Sequence, residues 1–271
     1  AQKNMAINHE LKRMGYKSEI FAQFIDEKVN HIAKQFDPKI LTTKDVLLYH
    51  HSIGFDYTKD AVAFKGKKAL IYHNITPKDF FEPYDAEFAT LLKKGRENLK
   101  KLGVNFSKSF ADSQFNADEL ELNNFISPQV LPLIIDPDRW NFLPDPDMIK
   151  MLTDGKKNIL FTGRMAPNKK QTDLIKMMPS LLEHNPDVRL CLVGHNFNMS
   201  FPYVREVYEL IDKLNLKESV WISGKINEKE LKACFMCADL YFSASEHEGF
   251  GVPLIEAMWF DLPVLAYKST A

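Results

Sequence analysis

One pattern runs through the sequence: a short apolar run, a longer stretch of helical period, then another apolar run. In the first half the apolar runs are 45–50 (DVLLYH), 68–73 (KALIYH), 107–113 (SKSFADS) and 129–135 (QVLPLII). Between them, residues 84–102 set Phe88, Leu91, Leu92, Gly95, Leu99 and Leu102 on one face, with Lys93, Lys94, Arg96, Lys100 and Lys101 elsewhere. Such alternation predicts a mostly parallel sheet covered by helices on both sides, because each strand must return through a crossover. It lapses at 136–157, where three prolines and clustered aspartates read as a linker. The pattern then resumes with strands at 158–163, 188–194, 219–224, 239–245 and 263–267 and helices at 171–183, 203–214, 228–237 and from Pro253. The expectation is an α/β chain of two Rossmann-like domains facing each other across a cleft, over residues 1–140 and 155–271.

The two ends look cut. The chain opens directly on a helix that stops at Gly15 and feeds a strand at 17–22, and it closes just after a strand. A doubly wound sheet keeps its first strand at the centre. Without it, strands 17–22 and 45–50 would lie on one side of a gap and strand 68–73 on the other.

Composition narrows the function. Lys and Arg number 35 against 36 Asp and Glu, for a net charge of -1, so no global field favours nucleic acid. Three cysteines, no cleavable leader and no apolar run long enough to span a bilayer fit a reducing, cytoplasmic setting. Cys234 and Cys237 have redox or zinc spacing but fall at the end of a helix, and Cys191 cannot complete a four-ligand site, so buried structural thiols are the preferred reading.

Ligands of such sheets sit where loops leave the carboxyl ends of the strands. The loop 163–170 (GRMAPNKK) places Arg164 and Lys169 there, a planar fork and a compact charge suited to a diphosphate. An ordinary charged loop is the alternative. The stretch 245–258 (SEHEGFGVPLIEAM) shifts the balance. Gly249 and Gly251, around Phe250, let backbone approach a ligand, and Pro253 suits a first helical turn whose free N–H groups face an anion. Glu248 and Glu256 suit hydroxyls better than phosphate, one on a sugar ring and one on a ribose diol. A helix cap with a solvated acid is the bland alternative. A glycosidase acid and base pair does not call for a glycine-rich anion turn between its members.

These motifs, with LCLVG (190–194), VWISGKINEKEL (220–231), ADLYFSASEHEGFGVPLIEAM (238–258) and PVLA (263–266), resemble in order and spacing the family 4 retaining glycosyltransferases of the GT-B fold. That family's signature of Glu, seven residues, Glu falls on Glu248 and Glu256. The first half is similar more loosely, through YHNITP, ADSQFNADEL and VLPLIID, to the acceptor-side domain. The resemblance implies transfer of a sugar from a UDP- or GDP-linked donor to a hydroxyl acceptor, a glycan, lipid-linked sugar or small molecule, with no metal and no further cofactor. It implies that Arg164 and Lys169 bind the diphosphate, Glu248 the transferred sugar and Glu256 the ribose. His73 would lie close to the sugar and acceptor, with His50 and His51 as further lining residues. Gly224 and Lys225 would meet the base, and Ser113 is a weaker candidate. The lysines of 84–102 could meet anionic lipid at the inner face of a membrane, although a solvated face is preferred. Other readings are a sugar-nucleotide-binding module without catalysis and a same-fold epimerase or phosphorylase.

Overall fold

Every apolar run of the sequence that lies within the described residues becomes a parallel strand. The computed structural model describes residues 2–23, 25, 27, 30–54, 57–133, 137–195 and 199–270. The chain divides into two compact units, Ala1–Ile75 with Thr90–Asp136, and Thr76–Ala89 with Pro137–Ala271.

The first unit opens with α1 (Gln2–Arg13) and a two-stranded parallel pair, β1 (Ile20–Ala22) and β2 (Ala33–Gln35). A separate sheet of order β3-β4-β5-β6 follows, built from β3 (Val46–His51), β4 (Lys67–Tyr72), β5 (Ser109–Ala111) and β6 (Gln129–Val130). Ile134 and Ile135, the end of the expected fourth run, and Asp136 lie outside the described residues. The expected gap between strands 45–50 and 68–73 is not found: β3 pairs with β4 in parallel from Val46↔Lys67 to His51↔Tyr72. The two strands are joined by a single short crossover through α2 (Thr58–Ala63). Strands consecutive along the chain tend to pair, and here that local preference places the break between β1–β2 and the larger sheet.

Helix α3 (Ala86–Gly103) buries Ala89, Leu92, Leu99 and Leu102, while Leu91, expected on the inner face, is exposed. It approaches the 53–54 loop so closely that a Cβ on Gly95 would stand 2.7 Å from the Gly54 nitrogen and 2.9 Å from Ile75 Cδ1. Two glycines facing each other let helix and loop backbones touch. Helix α4 (Gln114–Leu122) starts on Ser113, whose Oγ accepts the Asn116 N–H at 3.2 Å. Ser113 therefore serves as a helix cap, the role its residue type favours at a helix start.

The second unit carries five parallel strands, β7 (Lys157–Thr162), β8 (Val188–Val193), β9 (Val220–Gly224), β10 (Leu240–Ser243) and β11 (Val264–Ala266), in the order β11-β10-β7-β8-β9. Counted from β9 this is third, second, first, fourth, fifth, the doubly wound order. Successive residues of a strand point to opposite faces, and both faces are buried. Ile159, Phe161, Leu190 and Leu192 enter one core with α6 (Gln171–His184) and α7 (Pro202–Lys213). Leu160, Cys191 and Val193 enter the other, with Cys234 and Phe235 of α8 (Glu228–Cys237) and Ala257 of α9 (Val252–Trp259).

Two features depart from the sequence reading. The supposed linker is folded: Asp145 caps α5 (Pro146–Leu152) through the Met148 N–H at 2.9 Å, Pro146 takes the first helical position, and Trp140 and Leu152 are buried. Asp-Pro, read as loop punctuation, is here a cap followed by its favoured proline. Residues 76–89 also belong with the second unit. Tyr84 packs edge-on to Tyr203 at 5.4 Å and donates to Glu206 at 2.7 Å, and the Phe80 ring lies 6.4 Å from that of His247. Among the described residues no helix is long and apolar enough to cross a membrane.

Candidate functional site

In the second unit two loops are tied together at the carboxyl ends of β7 and β10. Asn168 is buried, its carbonyl accepts the Glu246 N–H at 3.0 Å, and its side chain donates to the His247 carbonyl at 3.0 Å. Gln171 anchors the first loop from below, donating to the Arg164 carbonyl at 2.8 Å while accepting from Tyr203 at 3.0 Å. Thr270 holds the second, accepting the Glu248 N–H at 2.8 Å and donating to its carbonyl at 2.9 Å. The consequence is an ion pair between Lys169 and Glu248 at 2.6 Å, each side chain 18% exposed. Beside it Lys170 pairs with Glu246 at 3.0 Å. Arg164 is exposed, in the same loop.

In the same unit, Thr162, Gly163, Val193, Gly194, His195, Lys225, Ile226 and Leu231 line a pocket of about 260 Å³ at the ends of β7, β8 and β9. Its floor depends on glycine. Gly194 has φ +147°, and a Cβ there would fall 2.1 Å from the Gly163 carbonyl oxygen. Gly224, at φ +65°, turns the chain from β9 towards Lys225. His195 was missed from sequence, since nothing in LVGH marks a ligand histidine.

Helix α9 begins on Gly251, at φ +80°, after Gly249 and Phe250. Glu256 in its second turn is buried and paired with Arg139, which also lies 3.5 Å from Glu228 and 4.8 Å from the centre of the Trp140 ring. Burial raises the Glu256 pKa, with Arg139 acting against it. Arg139 too escaped the sequence reading, hidden in a segment taken for linker. Neither signature glutamate is unpaired in this state.

The remaining candidates lie in the first unit. His73 follows β4, with Nδ1 2.9 Å from Asp112 Oδ2 and Nε2 2.8 Å from His50 Nδ1. Asp112 follows β5 and also receives Lys3 of α1 at 2.5 Å. Burial would raise the Asp112 pKa, but His73 and Lys3 outweigh it and hold it low. Burial brings His50 down to about 3 and His51 to about 4. His51 is fully buried with Nε2 2.9 Å from the Gly95 carbonyl. A carbonyl only accepts, so His51 is a donor that holds α3, not a lining residue.

Among the described residues no group of three or more His, Cys, Asp or Glu side chains is arranged to hold a metal ion. The cysteines are free thiols, burial raising Cys191 to about 12 and also raising Cys234.

Residues 148–271 match the family model for glycosyl transferases group 1. The matched segment contains Arg164, Lys169, Glu248 and Glu256. A GDP-mannose-dependent alpha-(1-6)-phosphatidylinositol monomannoside mannosyltransferase of Mycolicibacterium smegmatis is 26% identical over 66% of this chain and 49% of its own length. Mannosylfructose-phosphate synthase of Agrobacterium fabrum is 32% identical over 40% of this chain and 25% of its own. The chain thus spans about half the length of the first of these relatives and less of the second. Among solved structures, a glycosyltransferase from Rickettsia africae aligns with TM-score 0.71 at 18% identity, covering 99% of this chain and 75% of that one. Anabaena HepE with UDP-glucose aligns with TM-score 0.70 at 19% identity, covering 98% and 77%. The fold is that of the GT-B glycosyltransferases.

Proposed function

We propose that the protein is a retaining glycosyltransferase that moves a sugar from a nucleoside diphosphate sugar to a hydroxyl acceptor. The observation that carries this reading is the Lys169–Glu248 pair, which sets a cation for phosphate beside a carboxylate for sugar hydroxyls at the strand ends of the segment that matches the group 1 family model. On donor binding the diphosphate takes over Lys169, with Arg164 swinging in from the same loop. Glu248 is thereby released to the sugar. The ribose diol competes with Arg139 for Glu256, and the base enters the pocket beside Gly224 and Lys225. The backbone of Gly249, Phe250 and Gly251 and the start of α9 face the phosphates.

In the reaction the bond from the anomeric carbon to the β-phosphate oxygen breaks. The bond to the acceptor oxygen forms on the same face, and the acceptor proton passes to the departing phosphate oxygen. Negative charge grows on the diphosphate, where Arg164 and Lys169 stabilise it without a metal. His73, expected on the sugar side of the reaction, has both ring nitrogens engaged within the first unit. Both UDP-glucose and GDP-mannose merit testing, since a solved relative holds the first and a curated relative uses the second.

The test is product analysis with each donor, with and without a panel of glycan and lipid-linked acceptors, reading the anomeric configuration by NMR. Transfer with retention supports the reading. Donor binding by calorimetry without turnover on any acceptor would mark a binding module, and donor isomerisation without acceptor an epimerase.

A further inference from the structure

We infer that His50, rather than His73, presents the working ring nitrogen of the first unit, accepting a hydrogen bond from a substrate hydroxyl at Nε2. Lys3, Asp112 and His73 stand in line behind it to place its proton. The inference rests on the function proposed above only for the identity of the hydroxyl-bearing substrate.

The relay begins at α1. Lys3 Nζ donates to Asp112 Oδ1 at 2.5 Å and to the Leu131 carbonyl at 2.7 Å, with both charged side chains of the pair almost fully buried. An ammonium in that position keeps Asp112 ionised, and an ionised carboxylate only accepts. The hydrogen between Asp112 Oδ2 and His73 Nδ1, 2.9 Å apart, therefore sits on the histidine. With its hydrogen on Nδ1, His73 offers the Nε2 lone pair to the 2.8 Å contact, so the hydrogen there belongs to His50 Nδ1. The two ring centres are 5.1 Å apart and the ring planes lie within 10° of parallel.

His73 has thus spent both ring nitrogens inside the unit and has none left for a ligand. His50 is left with a bare Nε2 that has no partner among the described residues, on a half-buried side chain at the carboxyl end of β3. Burial, with Lys3 adding to it, keeps His50 uncharged at neutral pH, so its free nitrogen accepts and does not donate. A hydroxyl is the substrate group that answers such an acceptor; a phosphate oxygen has nothing to offer it.

The experiment labels the histidines of the full chain with nitrogen-15 and reads two-bond proton–nitrogen spectra at neutral pH, with His50→Phe and His73→Phe used for assignment. The expected result is that His50 and His73 both carry their hydrogen at Nδ1 and not at Nε2. On adding UDP-glucose, GDP-mannose, glucose or glycerol, the His50 Nε2 resonance should move with at least one probe. Asp112→Leu should change the proton position of His50 as well as of His73, which a merely structural aspartate would not do. His50 protonated at Nε2, or charged, overturns the relay, and a His50 Nε2 signal indifferent to all four probes overturns the hydroxyl site. In transfer assays His50→Phe is expected to lose roughly tenfold in kcat/KM. Should the wild type transfer no sugar, the proposed function fails while the spectra still decide the relay.

Discussion

Removing Arg139 tests whether the second signature glutamate is held by a buried ion pair. The Glu256 side chain is 7% exposed and that of Arg139 is 23% exposed. Truncating one partner of a buried pair costs about 3–5 kcal/mol, because the other charge is left uncompensated. With Arg139 partly exposed, the low end applies, and Arg139→Met should cost about 3 kcal/mol at neutral pH. For a domain of this size that corresponds to roughly 6–12 °C in Tm. The pH dependence has a definite sign. Glu256 has a folded pKa above its unfolded value of 4.5, so the native state binds the proton more tightly. Stability is therefore highest below the unfolded pKa and falls as pH rises through the raised folded one. Loss of Arg139 raises that pKa further, so the deficit of the variant should grow between mildly acidic and neutral pH. Glu256→Gln should remove most of this deficit when added to Arg139→Met, as read by urea unfolding of the four proteins of the cycle. A cost below about 1 kcal/mol, or the same cost with and without the Glu256→Gln substitution, would refute the reasoning.

Three further outcomes follow from the same contacts. Arg164→Ala or Lys169→Ala should lower turnover by roughly a hundredfold, the scale for one preorganised charge donor, and near-normal turnover in both would remove the diphosphate assignment. Sugar transfer should survive excess chelator; loss that magnesium or manganese restores would show that a metal, rather than Arg164 and Lys169, carries the compensating charge. Gly95→Ala should destabilise the first unit by about 1–3 kcal/mol, because its methyl group would meet the Gly54 backbone and Ile75, and chemical denaturation would show an unchanged midpoint if that approach is looser.

Much of the second unit was legible because its rules are local. Strand and helix ends from 157 to 266 fall within a few residues of the expected ones, since apolar runs, caps and glycines are set by neighbours in sequence. The pairing of Lys169 with Glu248 was also within reach, because doubly wound sheets gather these loops at one end. What sequence could not supply was pairing over distance. Arg139 and Glu256 are 117 positions apart, and nothing in DRWNF announces a partner. The histidines show the same limit. His50, His51 and His73 all end strands, yet one is a structural donor, one a relay and one presents a bare nitrogen. Only the identity of each ring's neighbours separates these roles, and those neighbours, Gly95, Asp112 and Lys3, come from three different elements. The sheet break was misplaced for a related reason: a global strand order was assumed where a short crossover decided the pairing of β3 with β4.

The second unit is discontinuous in sequence, and this bears on how such proteins could be shuffled by recombination. A crossover at residue 137 between this gene and a relative's would look clean, since it falls between the larger segments of the two units. It would nevertheless take Phe80 and Tyr84 from one parent and their partners His247, Tyr203 and Glu206 from the other. A hybrid would need those residues to match across parents, so the inherited module comprises residues 76–89 together with everything from 137 onward.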